Sequence, residues 1–143
     1  MICSPVIPVP VDVGAGISAR AASHIGAPFR LHGRSAVGGF DCVELAADAL
    51  SHIGFDAPVA SDYTLRGQFE QRIRSFFADP AFVQVSACKP GDFLLVCPAP
   101  QQVHMMIVAD GGFIHAHAGL RRVVLTPAPS PWPVIGHWRF IGE

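Results

Sequence analysis

The hydrophobic pattern of the chain changes at Pro80. Before this residue, apolar residues recur at helical spacing, which predicts three helices over residues 17–25, 41–52 and 65–78. After it, short apolar runs alternate with Pro, Gly and Asp turns, which predicts five strands over residues 93–97, 103–109, 112–118, 121–126 and 134–141. Helices followed by a mostly antiparallel sheet indicate an α+β fold.

The composition favours one folded domain. The chain has 143 residues, of which 50% are hydrophobic and 15% are charged, and its net charge is -1. This balance argues against a disordered chain and against a nucleic-acid-binding surface, and it gives no electrostatic reason to expect a membrane partner. We therefore expect a single domain over residues 17–143.

The first 16 residues are apolar but contain Pro5, Pro8 and Pro10. They carry no basic region and no uninterrupted hydrophobic segment, so the sequence predicts neither a signal peptide nor a membrane span. Because proline lacks a backbone donor and disfavours helix at the residue before it, residues 1–16 are expected to run extended over the surface.

Cys42 lies where a Gly-Gly-Phe-Asp loop becomes an apolar helix. Asp41 is a good N-cap, and Glu44 three residues later gives a capping-box-like pattern. A helix N-terminus favours a thiolate, although the Asp41 charge opposes it. Taken alone, a cysteine in this place is usually inert packing. The cysteines have no CxxC spacing, which disfavours a zinc ribbon, and Cys88 and Cys97 are predicted to be packing residues.

An Asp-Gly pair at residues 110–111, between two apolar runs, predicts a two-residue hairpin turn. The resulting register places Met106 opposite His115, and His104 opposite His117. Because side chains alternate along a strand, the three histidines are expected to project from one side of the hairpin.

Two chemistries fit this cluster. In one, His104 is the base that takes the proton from Cys42, and His115 or His117 orients it through its second ring nitrogen. In the other, the three histidines bind a zinc ion with an open position for water. The residues by themselves leave both chemistries open.

Several short motifs follow one another in a specific order and spacing. They are Gly26-Ala27-Pro28-Phe29, Gly33, Gly39-Phe40-Asp41-Cys42 with Leu45, Pro90-Gly91-Asp92, His104-Met105-Met106-Ile107-Val108 and Gly112-Phe113-Ile114-His115-Ala116. In this order they resemble the NlpC-type cell-wall peptidases, a papain-like family of cysteine peptidases, over residues 17–118. The strand endings at residues 122–124 and 138–140 are similar to phage-associated branches of that family. The resemblance implies a papain-like fold, with N-terminal helices packed on the sheet.

The resemblance also implies a mechanism. It assigns Cys42 as nucleophile, His104 as general base and then acid, and His115 as the residue that orients His104. The implied reaction is hydrolysis of an amide through an acyl-thioester on Cys42, with no metal and no cofactor. The usual substrates of the family are peptidoglycan stem peptides, commonly cut between γ-D-glutamate and a diamino acid.

We expect Phe29, Asp41 and His117 at the substrate site. Family members usually carry Tyr at the position of Phe29, so this chain lacks a phenol near the oxyanion, and loss of one oxyanion donor can cost on the order of 100-fold in rate. Glu44 stands where the family commonly has a small residue, and capping is its expected role. The turn before His115 is one residue shorter than usual, which makes His117 a rival for the orienting role.

A non-catalytic module of the same fold is a further alternative, favoured by Phe29 and Glu44. Such a module would hold cell-wall peptide or a phage-tail partner. With no export signal predicted, we expect synthesis in the cytoplasm and access to the wall through a phage-like tail or another delivery partner, through lysis, or through recycled peptides in the cytoplasm.

Overall fold

Helices come first along the chain, and the main sheet follows. The computed structural model describes residues 12–35, 37–56 and 69–142. In these ranges the helices are α1 (Val13–Ser23), α2 (Cys42–His52) and α3 (Phe69–Phe77). The strands are β1 (Arg34–Ser35), β2 (Gly39–Phe40), β3 (Phe82–Gln84), β4 (Phe93–Ala99), β5 (Gln102–Ala109), β6 (Gly112–His117), β7 (Arg122–Pro127) and β8 (Val134–Phe140). None of the helices in the described ranges is long and apolar enough to cross a membrane.

Six strands form one antiparallel sheet in the order β3-β8-β4-β5-β6-β7, and β1 pairs with β2 separately. The predicted α+β class, with helices on a mostly antiparallel sheet, is confirmed. The five predicted strands are all present. The short strand β3 is not foreseen by the pattern, because its three residues form a strand only by pairing with β8 at the edge of the sheet.

The first helix begins at Val13, four residues before its predicted start. Asp12 is the N-cap, and its side chain accepts a hydrogen bond from the N–H of Ala15 at 3.1 Å. The prediction of an extended segment is therefore wrong for residues 13–16, while residues 1–11 lie outside the described part of the chain. Part of the predicted third helix, residues 65–68, also lies outside it.

The two faces of the sheet carry two hydrophobic clusters. Alternate residues of β4, such as Phe93 and Leu95, join the main core beneath the helices. The residues between them face the other way and form a second cluster, covered in part by Trp132; its buried members are Leu94, Val96, Met106, Val108 and Phe113. Because both faces of the central strands are covered, β4 reads as a continuous apolar run instead of an alternating one.

Asp92, in the Pro-Gly-Asp turn before β4, ties that turn to β8. Its carboxylate is 1% exposed and accepts from Nε of Arg139 at 2.8 Å, from Nη2 of Arg139 at 2.9 Å and from the N–H of Lys89 at 2.9 Å. Nε2 of His137 lies 2.8 Å from Oδ2. Burial raises the pKa of Asp92, but the hydrogen bonds from Arg139, His137 and Lys89 outweigh it and lower the pKa below its usual value.

Replacing Asp92 by Asn tests the contribution of its contacts with Arg139 and His137 to stability. The amide keeps the shape but removes the charge, and we expect a loss of about 2 kcal/mol of unfolding free energy, less than the full cost of breaking a buried pair because Arg139 is 30% exposed. Urea unfolding followed by circular dichroism measures the change. Glu70→Gln is the control: it removes the half-exposed pair with Arg74 and should cost less than about 0.5 kcal/mol. Equal effects of the two substitutions would contradict the assigned role of Asp92.

Candidate active site

Asp41 fixes the loop that leads into α2. Its carboxylate is fully buried, with Oδ1 accepting from the N–H of Glu44 at 2.8 Å and Oδ2 accepting from the N–H of His32 at 2.6 Å. The first of these bonds is the predicted N-cap. Both oxygens of this buried carboxylate accept from the backbone, and a substrate-binding role for Asp41 stays a prediction. Its role is to hold Cys42 at the first position of α2.

Glu44 lies in the first turn of α2 and is 4% exposed. Its Oε2 accepts from Nε of Arg34 in β1 at 2.6 Å. Burial raises the pKa of Glu44 and the Arg34 guanidinium offsets part of the shift, which leaves the pKa above its usual value. The side chain of Glu44 therefore connects β1 to α2, while its backbone N–H is capped by Asp41.

The thiol of Cys42 is buried in the main core and 4% exposed. Burial, with a smaller effect of the Asp41 charge, raises its pKa to about 12. Backbone hydrogen bonds with Met105, with Cys42 itself and with Val43 act in the opposite direction. The helix start thus supplies the favourable donors that the sequence predicts, but burial is the larger effect, and the group is a neutral thiol at pH 7.

The hairpin of β5 and β6 is paired only near its turn. Its Cα pairs are Ile107↔Ile114, Val108↔Phe113 and Ala109↔Gly112, the register that the Asp-Gly turn predicts. The described residues of β5 and β6 form no further Cα pairs with each other. The predicted pairs of Met106 with His115 and of His104 with His117 are therefore wrong.

Helix α2 packs against both β5 and β6. The backbone of Met105 in β5 is hydrogen-bonded to the Cys42 sulfur. Nε2 of His104 in β5 lies 2.8 Å from Nδ1 of His115 in β6. His115, and not His117, is therefore the ring that contacts His104.

The hydrogen bonds continue beyond His115. Its Nε2 lies 2.7 Å from Oγ1 of Thr126 in β7. The rings of His104, His115 and His117 all lie against Trp132, with centroid separations of 5.8, 5.6 and 6.1 Å. The three histidines thus share one side of the sheet, and the indole of Trp132 covers them.

The environment keeps both bonded histidines neutral. Burial, with smaller effects of the neighbouring His115 and His117, lowers the pKa of His104 to about 3. Burial and a smaller effect of His117 together lower the pKa of His115 to about 4. At pH 7 His104 is therefore a neutral imidazole, the form that accepts a proton. Since its Nε2 is bonded to His115, its Nδ1 is the nitrogen available to a thiol.

The hydrogen bonds of the three histidines argue against the predicted zinc site. His104 and His115 direct ring nitrogens at each other, the second nitrogen of His115 is bonded to Thr126, and Nδ1 of His117 accepts from the N–H of Leu120 at 3.1 Å. Within residues 12–35, 37–56 and 69–142, no group of three His, Cys, Asp or Glu side chains is arranged to hold a metal ion.

Solved structures of NlpC/p60 proteins share this architecture. NlpC2 from Trichomonas vaginalis superposes with a TM-score of 0.67 over 92% of this chain and 49% of its own, at 18% identity. The peptidoglycan hydrolase RipB from Mycobacterium tuberculosis gives 0.62 over 92% and 65%, at 21% identity. The NlpC/p60 domain of the peptidoglycan hydrolase SagA gives 0.56 over 80% and 88%, at 27% identity. The chain has the NlpC/p60 fold.

The chain spans about half the length of NlpC2 and of NlpC1 from Trichomonas vaginalis, at 49% and 46%. No family sequence model matches the chain, and no curated protein matches it in sequence. The likeness to NlpC/p60 proteins is therefore one of three-dimensional structure.

Within the NlpC/p60 fold, Phe29 lies beside the loop that carries the cysteine. Its backbone bridges to Phe40, two residues before Cys42, and its N–H donates to the carbonyl of Arg121 at 2.9 Å. The phenyl ring packs against the main core and brings no hydroxyl to this loop. The substrate-binding roles of Phe29 and of the partly buried His117 stay predictions.

Two side chains in this NlpC/p60 site, Thr126 and Trp132, are not indicated by the sequence pattern. Thr126 lies opposite Phe113 in the β6–β7 register, so alternation puts it on the same side as His115, but this register is not encoded by a short turn. Trp132 lies in a proline-rich connection, where local pattern does not indicate burial against a sheet.

Because Trp132 covers the three histidines, Trp132→Ala should change the pKa of His104. Opening the cluster to water weakens the burial that depresses the pKa of His104, so the pKa should rise from about 3 towards its ordinary 6.5. Nuclear magnetic resonance titration of the histidine rings measures it, with the exposed ring of His52 as internal control.

The same shift has a consequence for stability. A histidine whose pKa is lower in the folded chain binds fewer protons there than in the unfolded chain, so its contribution is present above pH 6.5 and is lost as pH falls towards 3. The unfolding free energy should fall over this range, and it should fall less steeply in Trp132→Ala. A wild-type His104 that titrates near 6.5 would contradict the burial of the cluster.

Proposed function

We propose that the chain is a cysteine peptidase that hydrolyses an amide bond in the stem peptides of peptidoglycan. The observation that carries the proposal is the hydrogen-bonded pair of His104 and His115, on a fold that places Cys42 at the first position of α2. Cys42 begins a helix and is hydrogen-bonded to the backbone of Met105, the residue after His104, while His104 uses Nε2 for His115. This leaves the proton-accepting Nδ1 of His104 for the thiol, on a fold shared with peptidoglycan hydrolases.

The resting pair in this mechanism is a neutral thiol beside a neutral imidazole. Because burial raises the pKa of Cys42 and lowers that of His104, a preformed thiolate–imidazolium pair is disfavoured. The proton therefore moves from Sγ to Nδ1 of His104 as Sγ attacks the substrate carbonyl. His115 accepts from Nε2–H of the resulting imidazolium, and backbone N–H groups at the start of α2 are the donors nearest the new oxyanion.

Collapse of the tetrahedral intermediate breaks the C–N bond. His104 returns its proton through Nδ1 to the leaving amine, and the acyl group stays on Sγ as a thioester. Water then attacks the thioester, with His104 as base, and releases the carboxylic acid and the free thiol. By resemblance, the bond cut is the one between γ-D-glutamate and a diamino acid.

The substrate class is supported by RipB and SagA, which are named as peptidoglycan hydrolases. Cell-wall peptide is therefore the substrate to test first. A phage-tail or other partner that delivers the protein to the wall remains a prediction from the sequence.

Cys42→Ala is the test of the mechanism. Removing Sγ removes the nucleophile, so cleavage of purified muropeptides, followed by mass spectrometry of the products, should fall to background. Cys88→Ala is the matched control, because Cys88 is exposed and outside the site, and its cleavage rate should equal that of the parent. A Cys42→Ala protein that cleaves as fast as the parent overturns the mechanism.

A second candidate is a module that binds cell-wall peptide without cutting it. It is favoured by the pKa of about 12 for Cys42 and by the absence of a hydroxyl on Phe29. Both features reduce catalytic power, the first because the thiol is un-ionised at rest and the second because an oxyanion donor is missing.

A stem-peptide analogue with an electrophilic carbon at the scissile position separates the two candidates. If His104 activates the thiol, the analogue should alkylate Cys42 in the parent and much more slowly in His104→Ala, as measured by intact mass. The binding module instead predicts equal affinity for parent and Cys42→Ala, with no adduct on Cys42. A small general alkylating agent is a poorer probe, since it should reach exposed Cys88 before buried Cys42.

A further inference from the structure

Thr126 stands at the end of the hydrogen-bond chain that begins at His104. Its Oγ1 lies 2.7 Å from Nε2 of His115, whose Nδ1 lies 2.8 Å from Nε2 of His104. No carboxylate closes the chain among these contacts. A hydroxyl on β7 is thus the terminal partner of the two histidine rings.

The chain admits two arrangements of its protons. A neutral imidazole has one N–H, so a proton on Nε2 of His104 requires His115 to accept at Nδ1 and to carry its own proton on Nε2, where Thr126 accepts. The reverse arrangement puts a proton on Nδ1 of His104. Only the first arrangement leaves Nδ1 of His104 with a free lone pair, the form that accepts the proton of Cys42.

The burial of His115 makes the terminal partner matter. Its side chain is fully buried beneath Trp132, so water cannot stand in for Thr126. A buried N–H without an acceptor costs more than the bond itself contributes. With its pKa lowered to about 4, His115 is neutral near pH 7. Its single ring proton can therefore be on Nδ1 or on Nε2, which gives two tautomers.

The position of Thr126 is also well defined. It is paired with Phe113 across the β6–β7 ladder, and its carbonyl packs so closely on Gly112 that no side chain fits there. The residue is partly buried, which lets the hydroxyl hydrogen turn to solvent while the oxygen accepts from His115.

We propose that Thr126 is a positioning residue that, by accepting a hydrogen bond from Nε2–H of His115, holds His104 in the tautomer that is unprotonated at Nδ1. Thr126 does not touch the reacting atoms and acts through two rings. Its kinetic effect rests on the proposed peptidase function, whereas its effect on the tautomers does not.

Thr126→Val and Thr126→Ser form the test. Valine keeps the shape and removes the hydroxyl, while serine keeps the hydroxyl. Nitrogen-15 resonance of the histidine rings at pH 7 should show Nε2–H on both His104 and His115 in the parent and in Thr126→Ser. In Thr126→Val the signals of both rings should move towards the Nδ1–H form.

Muropeptide cleavage is measured on the same proteins. Loss of one hydrogen bond that aligns the base should lower kcat about tenfold in Thr126→Val, with KM little changed, and Thr126→Ser should restore kcat. Urea unfolding of both variants shows whether the fold is retained, and the ring spectra are read only on folded protein.

The outcomes are distinct. The role of Thr126 is overturned if Thr126→Val and Thr126→Ser have the same histidine tautomers and the same kcat. It is also overturned if His104 in the parent shows an Nδ1–H signal. A parent that cleaves no muropeptide, but whose tautomers respond to Thr126→Val and not to Thr126→Ser, refutes the peptidase function and leaves the positioning role standing.

Discussion

The candidate site depends on where β5 and β6 stop pairing. Their ladder ends at Ile107 and Ile114, and beyond it the backbone of Met105 is hydrogen-bonded to the sulfur at the start of α2. Continued in the same register, this ladder would have set His104 opposite His117. Beyond the paired segment, His104 instead contacts His115 ring to ring. The contact between His104 and His115 therefore depends on where this ladder ends.

Burial shifts the pKa values of Asp92, Cys42 and His104, but the net direction of each shift depends on the charges and hydrogen-bond donors nearby. Asp92 stays a carboxylate with a lowered pKa because the Arg139 guanidinium, His137 and a backbone N–H all reach it. Cys42 has only backbone donors and a neighbouring carboxylate, so burial dominates and the thiol stays protonated. His104 faces other histidines, which oppose its protonation as burial does. The site therefore starts from neutral partners, and proton transfer has to accompany attack.

Much of the fold follows from local pattern. The helical and alternating runs predict the order of elements, and the Asp-Gly turn predicts the three Cα pairs nearest to it. The N-cap of α2 follows from Asp41 and its spacing to Glu44. The start of α1 is missed because the cap at Asp12 lies in a proline-rich stretch, and β3 is missed because three residues carry too little periodicity.

The sequence by itself determined the local geometry: which segments are helix or strand, where Cys42 sits on its helix, and which histidines share a side of the hairpin. These features depend on capping, turns and side-chain alternation, which act over a few residues. Only the tertiary structure decided that His115 contacts His104, that the Asp41 carboxylate is fully buried and that Thr126 is hydrogen-bonded to His115. Those outcomes depend on what packs against each strand and how far each group is removed from water, and neither is encoded in residues that are neighbours along the chain.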